Sequence, residues 1–272
     1  MGVLAHKHSD SSTDPSQARS FPPEIVEMII SHLKYDTPTL KACAATCFSW
    51  FNVAVPHLHH TLILWEPTPK KYQNQLPSLL KLGLLPFVEK LQVRLAVVPA
   101  MFDSRNMQYF HAMVNLQELW FAGPDFSKFP AGFGEYLGHF SPTLRSVALS
   151  RPNGTRRQLL NLLRLFPKLE DITIDHYADR PEAYEPFDSQ LVPIRGGLRG
   201  RLSLKMFGEE GLLRDIIVAF EGMRFTYMEL HVAQGKHLLL EACADTLETL
   251  RVYPRDIYDP SKGGLETFLT DT

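Results

Sequence analysis

The chain has little cysteine: Cys43, Cys47 and Cys243 are the only three in 272 residues. That number is too small and too odd for a disulfide framework. No unbroken apolar run approaches the roughly 18 residues that a membrane span requires. The first twenty residues, rich in His, Ser and Asp, lack the apolar stretch of a secretory leader. Charge of one sign is also missing. The formal net charge is -2, so nothing points to nucleic acid or to an anionic membrane. Arg156-Arg157 reads as solvated helix surface, because a phosphate site needs several cooperating cations. Gly-x-Ser-x-Gly, His-Glu-x-x-His and Gly-x-x-x-x-Gly-Lys-Ser/Thr do not occur. The expected compartment is the reducing cytoplasm and/or nucleus.

Histidine is plentiful, with eleven copies. The densest group, His57, His59 and His60, can be joined with Cys43 and Cys47 only by forcing a zinc reading. Both cysteines fall on the apolar stripe of a helix, whereas structural zinc uses pairs on tight knuckles. Buried thiols and loop histidines are the expectation, with no metal, no cofactor and no catalytic residue. Glu209-Glu210 reads as helix N-terminal charge.

What is present begins after a polar tail. Residues 1–19, including His6 and His8, have the composition of a disordered segment. At Ser20-Phe21-Pro22-Pro23-Glu24 the signals of a helix start appear together. Ile25, Met28, Ile29 and Leu33 then fall on one helical face. Tyr35-Asp36-Thr37-Pro38 ends that helix and opens another, with Asp36 or Thr37 as the cap. The second helix is expected to carry Leu40, Cys43, Cys47, Trp50 and Ala54 as one continuous stripe. So short an amphipathic hairpin needs a partner surface.

The residues Phe21-Pro22-Pro23-Glu24-Ile25, Ile29, Leu33, Leu40, Cys47 and Trp50 resemble the F-box. Its pattern is Leu-Pro-x-Glu-Ile, a leucine-ended helix, then a Cys-x-x-Trp helix. The resemblance covers residues 20–60. Phe21 stands where the family has Leu, and Phe48-Ser49 lacks the basic residue common between Cys and Trp. It implies binding to a Skp-type adaptor, and through it a cullin, by Phe21, Pro22, Pro23, Ile25, Ile29, Leu33, Leu40, Cys47 and Trp50. A hairpin packed only on its own domain is the plainer reading of the same stripe.

Beyond a linker at 61–75, a short motif recurs: apolar, two variable residues, apolar, one variable residue, apolar. Copies start at Val88, Leu116, Leu144 and Leu169, which are 28, 28 and 25 residues apart, and at Tyr227 and Leu247, 20 apart. A weaker copy surrounds Leu202-Ser203-Leu204. The intervals match a leucine-rich repeat, and the alternation within each copy is that of a half-buried strand. Helical patterns precede several copies: Thr155 to Phe166, Glu209 to Phe220, and Leu238 to Ala244. Helix, loop and strand repeated give parallel strands with helices behind them. Phe166-Pro167-Lys168-Leu169-Glu170-Asp171-Ile172 is similar to the Phe-Pro-x-Leu-x-x-Leu phrase of F-box proteins with irregular leucine-rich repeats, abundant in fungi.

The expected architecture is therefore α/β, a helical F-box followed at 76–272 by an irregular leucine-rich-repeat solenoid with a parallel sheet. The pattern stops soon after Leu265-Glu266-Thr267-Phe268-Leu269 without a clear cap, which reads as a truncated or naturally short form. A doubly wound enzyme fold is the competing architecture, but it wants a glycine-rich first turn. Gly196-Gly197-Leu198-Arg199-Gly200 and Gly132-Phe133-Gly134 read as loops or helix starts. Tyr177 to Ile194 reads as an excursion loop.

The expected function is that of a non-enzymatic substrate receptor of a Skp-cullin-F-box ubiquitin ligase. Its alternatives are a repeat scaffold outside any ligase or an α/β enzyme. Variable strand positions are the candidates for contact with an unknown protein target: Gln92, Gln117, Trp120, Arg145, Thr173, His231 and Arg251. Trp and Arg are the types that dominate interfaces.

Overall fold

A computed structural model describes residues 21–64, 69–94, 107–126, 129, 133–179, 198–207, 210–220, 222–232 and 236–253. The expected N-terminal tail, most of the excursion loop and the segment around Leu265 lie outside the described residues. The chain divides into two compact units, Met1–His57 and Leu58–Thr272.

The first unit is helical. Helix α1, Pro23–His32, starts on Pro22 with Pro23 in its first turn and Glu24 at the positive end of the dipole. Helix α2, Thr37–Ala44, is capped by Asp36, whose carboxylate accepts from the Thr39 amide at 3.1 Å and hydroxyl at 2.6 Å. Those two hydrogen bonds lower the Asp36 pKa. The expected single second helix is in fact two. The Thr46 hydroxyl donates to the Cys43 carbonyl at 2.7 Å, offering the backbone an alternative to continued helix. Helix α3, Phe48–His59, then starts afresh. Val26, Ile30, Leu40, Ala54 and Val55 are buried.

The second unit is α/β and is built on eight parallel strands. In chain order its elements are β1 (Thr61–Leu64), α4 (Pro69–Lys81), a 3-10 turn (Leu85–Phe87), β2 (Lys90–Arg94), α5 (Met107–His111) and β3 (Glu118–Ala122). Next come α6 (Phe133–Gly138), β4 (Ser146–Ser150), the short β5 (Asn153–Gly154), α7 (Arg156–Arg164), β6 (Asp171–Asp175) and the short β7 (Ala178–Asp179). The last are β8 (Arg199–Phe207), α8 (Glu210–Ala219), β9 (Arg224–Val232), α9 (Lys236–Ala242) and β10 (Thr249–Val252). Strand order in the main sheet is β1-β2-β3-β4-β6-β8-β9-β10, and every pairing is parallel. The order never reverses, so the sheet has no topological switch point of the kind a doubly wound fold uses.

The sheet begins earlier than the repeat pattern indicates. β1 lies in the stretch read as linker and pairs with β2 from Thr61↔Lys90 to Leu64↔Val93. The copy assigned to Tyr227 is also misplaced by two residues. Met228 and Leu230 pair with Leu202 and Leu204, so the copy starts at the buried Phe225 and Tyr227 faces outward. Arg199 and Gly200 are the start of β8 rather than a loop or helix start. Gly200 has φ +93, and a Cβ there would lie 2.2 Å from the Glu170 carbonyl oxygen. Tyr177, the first residue of the expected excursion, is buried and donates to the Gly154 carbonyl at 3.1 Å.

Inward strand residues and the helices share one hydrophobic cluster: Leu91, Leu119, Val147, Ile172 and Leu202 meet Leu76, Phe110, Leu137, Leu160, Leu213 and Leu239. The helices thus cover one face of the sheet, and the described residues on the other face are mostly half-buried. α7 shows why a helix forms where it does. Thr155 and Gln158 make a reciprocal capping box, and four leucines, 159, 160, 162 and 163, are buried.

Strand starts and ends repeat as well. The carbonyls of His60, Glu89, Gln117 and Arg145 each accept two successive amides from the next strand's start. At the other end, Gly123, Arg151 and His176 follow register-equivalent residues, and all have left-handed φ: +67, +51 and +53. A side chain in that region costs about 1–2 kcal/mol. Arg151→Gly is therefore expected to stabilise the chain by about 1 kcal/mol and Gly123→Ala to destabilise it similarly. Urea unfolding of both variants checks this; shifts of the same sign would contradict it.

Candidate functional site

The outward residues of the sheet lie in register, one row across all strands. The central row runs Ile63, Gln92, Trp120, Ala148, Thr173, Ser203, Glu229, Arg251. It brings together Gln92, Trp120, Thr173 and Arg251, four of the sequence candidates, although they lie up to 159 positions apart (92 to 251). His231 is one outward step beyond this row, because of the two-residue shift of its strand. Arg145 and Gln117 are corrections. Each is the residue before its strand, where the backbone carbonyl serves the next strand. The Arg145 side chain reaches the Glu170 carboxylate at 3.6 Å and the Lys168 carbonyl at 3.5 Å.

The rows change chemistry along the sheet. Small or apolar residues dominate near β3 and β4, and charged and aromatic ones from β6 to β10. Glu229 is the hub of the charged end. Its carboxylate accepts from the Ser203 hydroxyl at 3.2 Å, and lies 3.8 Å from Lys205 Nζ and 3.5 Å from His231 Nε2. The His231 ring stacks on Tyr253, with centroids 4.1 Å apart and planes at 14°. Burial lowers the His231 pKa and outweighs the opposing pull of Glu229. Burial also raises the Asp171 pKa, against the field of Arg201 on the adjacent strand. Asp175 and His176 lie side by side at the end of β6. None of Asp171, Asp175, Ser203, Lys205 or Glu229 was among the sequence candidates. Their signal was the strand alternation itself, once β8 and β9 are set in register.

The second set of candidates lies on the helical unit. Phe21, Met28 and Phe48 are 60%, 56% and 78% exposed, and Ile25 and Phe51 are exposed too. Phe21, Ile25 and Met28 are spaced by four and three residues along one face of α1 and its lead-in. Pro22, Pro23 and Cys47 are exposed, while Ile29, Leu33 and Trp50 are half-buried. Leu40 is buried, and so is not available as a contact. Met28, read from the sequence as part of the helical face but not as a contact, belongs with the exposed residues, and Phe48 and Phe51 were missed.

Cys47 does not lie on a buried stripe as the sequence suggested. It sits at the break between α2 and α3 with its thiol 3.3 Å from the Ser49 hydroxyl, which lowers its pKa together with the Trp50 amide. Among the described residues no group of three or more His, Cys, Asp or Glu could hold a metal ion, and no helix is long and apolar enough to cross a membrane. No family model matches the chain, and no curated protein is significantly similar to it.

The lowered His231 pKa has a consequence for stability. The folded chain holds this ring neutral more strongly than the unfolded chain does. As pH falls through 6.5, the ordinary histidine value, the unfolded state takes up the proton more readily and folding weakens. His59, lowered by burial as well, adds to the same slope. His231→Gln is expected to flatten the loss of urea stability between neutral and mildly acidic pH. An unchanged slope would contradict the placement of His231 in this cluster.

Proposed function

We propose that the chain is the substrate-recognition subunit of a Skp-cullin-F-box ubiquitin ligase. Its helical unit acts as the F-box that holds a Skp-type adaptor, and its α/β unit is an irregular leucine-rich-repeat solenoid that holds a target protein. The observation that carries the reading is the exposed apolar face of the helical unit, with Phe21, Ile25, Met28, Phe48 and Phe51 open. Large apolar side chains grouped on short helices mark a surface that a partner covers. A hairpin serving only as an end cap has no reason to expose them. The pattern Phe21-Pro22-Pro23-Glu24-Ile25, with Cys47 and Trp50 at the start of α3, supports the same partner.

The sequential parallel sheet supports the repeat reading. Most strands of the main sheet follow a helix, and each pairs with the main-sheet strand before it, as stacked repeats do. The helices back one face, and the other is left to recognition. In this reading the protein supplies no reacting group. It raises the local concentration of a target lysine near a conjugating enzyme carried by the cullin, so catalysis by the assembly is a matter of proximity.

Ile25→Ala and Phe48→Ala are each expected to cost about 1–3 kcal/mol of affinity for a Skp-type adaptor from a matched source, with folding unchanged. Titration calorimetry on the intact chain measures this. Failure of the folded wild-type chain to bind the adaptor, or full affinity in both variants, would remove the ligase reading and leave a repeat scaffold.

A further inference from the structure

Strands β8, β9 and β10 bring four arginines into one part of the sheet, two of them at the strand starts. Arg199 and Arg224 are direct register partners. Like charges set opposite one another weaken a strand pair. Arg201 and Arg251 come from the two strands flanking β9, and both lie over the Tyr227 ring, at 4.6 and 5.6 Å from its centroid. All four arginines are exposed.

Arg201 and Arg251 each have a carboxylate as register partner, Asp171 and Glu229 respectively. Neither forms an ion pair with it. Glu229 turns to Ser203, Lys205 and His231, and Asp171 feels Arg201 only through space. A guanidinium held over an aromatic ring uses its face in that contact and leaves its N–H edge free. Two such edges beside one ring form a receptor for an oxyanion, with the side-chain entropy of both arginines already reduced.

We propose that this edge, Arg201 and Arg251 over Tyr227 with the Arg199–Arg224 pair at the strand starts, binds a carboxylate-rich segment of the target protein. The proposal rests on reading the outward sheet face as the recognition surface, and it does not depend on the adaptor contact. Charge complementarity selects the ligand. Arginine forks match carboxylates in two-point contacts. A nucleic-acid backbone fits less well, because long polyanions need an extended basic field and the chain's net charge of -2 supplies none.

The test uses the full chain and a fluorescent oligoglutamate peptide, read by anisotropy, with oligolysine, a phosphoserine peptide and oligouridylate RNA as comparisons. The oligoglutamate peptide is expected to bind, to weaken as salt rises, and to lose about tenfold in affinity in R201Q and in R251Q. Tyr227→Phe should bind as wild type does, since it keeps the ring, and Tyr227→Leu should bind more weakly. Arg251 lies on the edge strand, so R251Q keeps the test alive even where R201Q fails to fold. No binding of oligoglutamate, equal binding by R201Q and R251Q, or tighter binding of the phosphoserine peptide or the RNA would each overturn the proposal. Oligoglutamate binding without adaptor capture would sink the ligase reading alone; adaptor capture without oligoglutamate binding would sink this one alone.

Discussion

Each strand of the main sheet offers inward apolar residues, and neighbouring strands together with the helices behind them bury these side chains in one cluster. Leu62 and Leu64, Leu91 and Val93, Leu119 and Phe121, Val147 and Leu149, Ile172 and Ile174, Leu202 and Leu204, and Met228 and Leu230 are all buried. Leu250 and Val252 occupy the same positions on β10, yet they are 41% and 43% exposed. Among the described residues β10 has one strand partner, but so does β1, whose Leu62 and Leu64 are buried, so strand pairing alone does not set burial. Full burial of such a side chain stabilises by about 1.5–3 kcal/mol, and lateral stacking of strands, with the helices behind them, supplies it. It also fixes register, since a slip by one residue would turn every inward pair outward. The doubled amide contacts at strand starts and the left-handed turns at strand ends then follow in the same places from strand to strand.

Because the inward positions are committed to this stacking, the outward ones carry the individuality of the chain. Neighbouring rows step about 4.8 Å from strand to strand, so a row converts distant sequence positions into one continuous surface. Near β3 and β4 that surface holds Trp120, Ala148 and small hydroxyl residues. From β6 onward it holds a hub on Glu229 and arginines around Tyr227. Under the proposed function this graded face, backed by packed helices, is the surface that meets an extended segment of the target. The proposed assignment of roles follows: the helical unit meets the adaptor, and the sheet meets the target.

Much of this was legible in the residues. The copies starting at Val88, Leu116, Leu144, Leu169 and Leu247 end in β2, β3, β4, β6 and β10, and the helices before β6, β9 and β10 carry clear caps or apolar faces. The α/β class and the parallel sheet followed from that alternation. Other features were hidden for physical reasons. A shift of two residues keeps the same face of a strand inward, so Tyr227-Met228-Glu229-Leu230 fits the motif in two registers. Pairing with Leu202 and Leu204 decides between them, and no local pattern can. β1 is four residues long and follows a helix directly, too short for its alternation to stand out. The break at Thr46 depends on one hydroxyl competing for a backbone carbonyl. Arg145 occupies a variable position of the motif, but that position precedes the strand. The cluster on Glu229 needs three strands at once, and so it had no signature in any single stretch.

Hydrogen exchange of the full chain, alone and with a Skp-type adaptor from a matched source, tests the division of roles most directly. If the helical unit is the adaptor's docking surface, added protection will appear in α1 and at the start of α3, while the amides of β2 to β9 exchange as they do in the free chain. No added protection in α1 and α3, or protection that falls on the sheet instead, would contradict it.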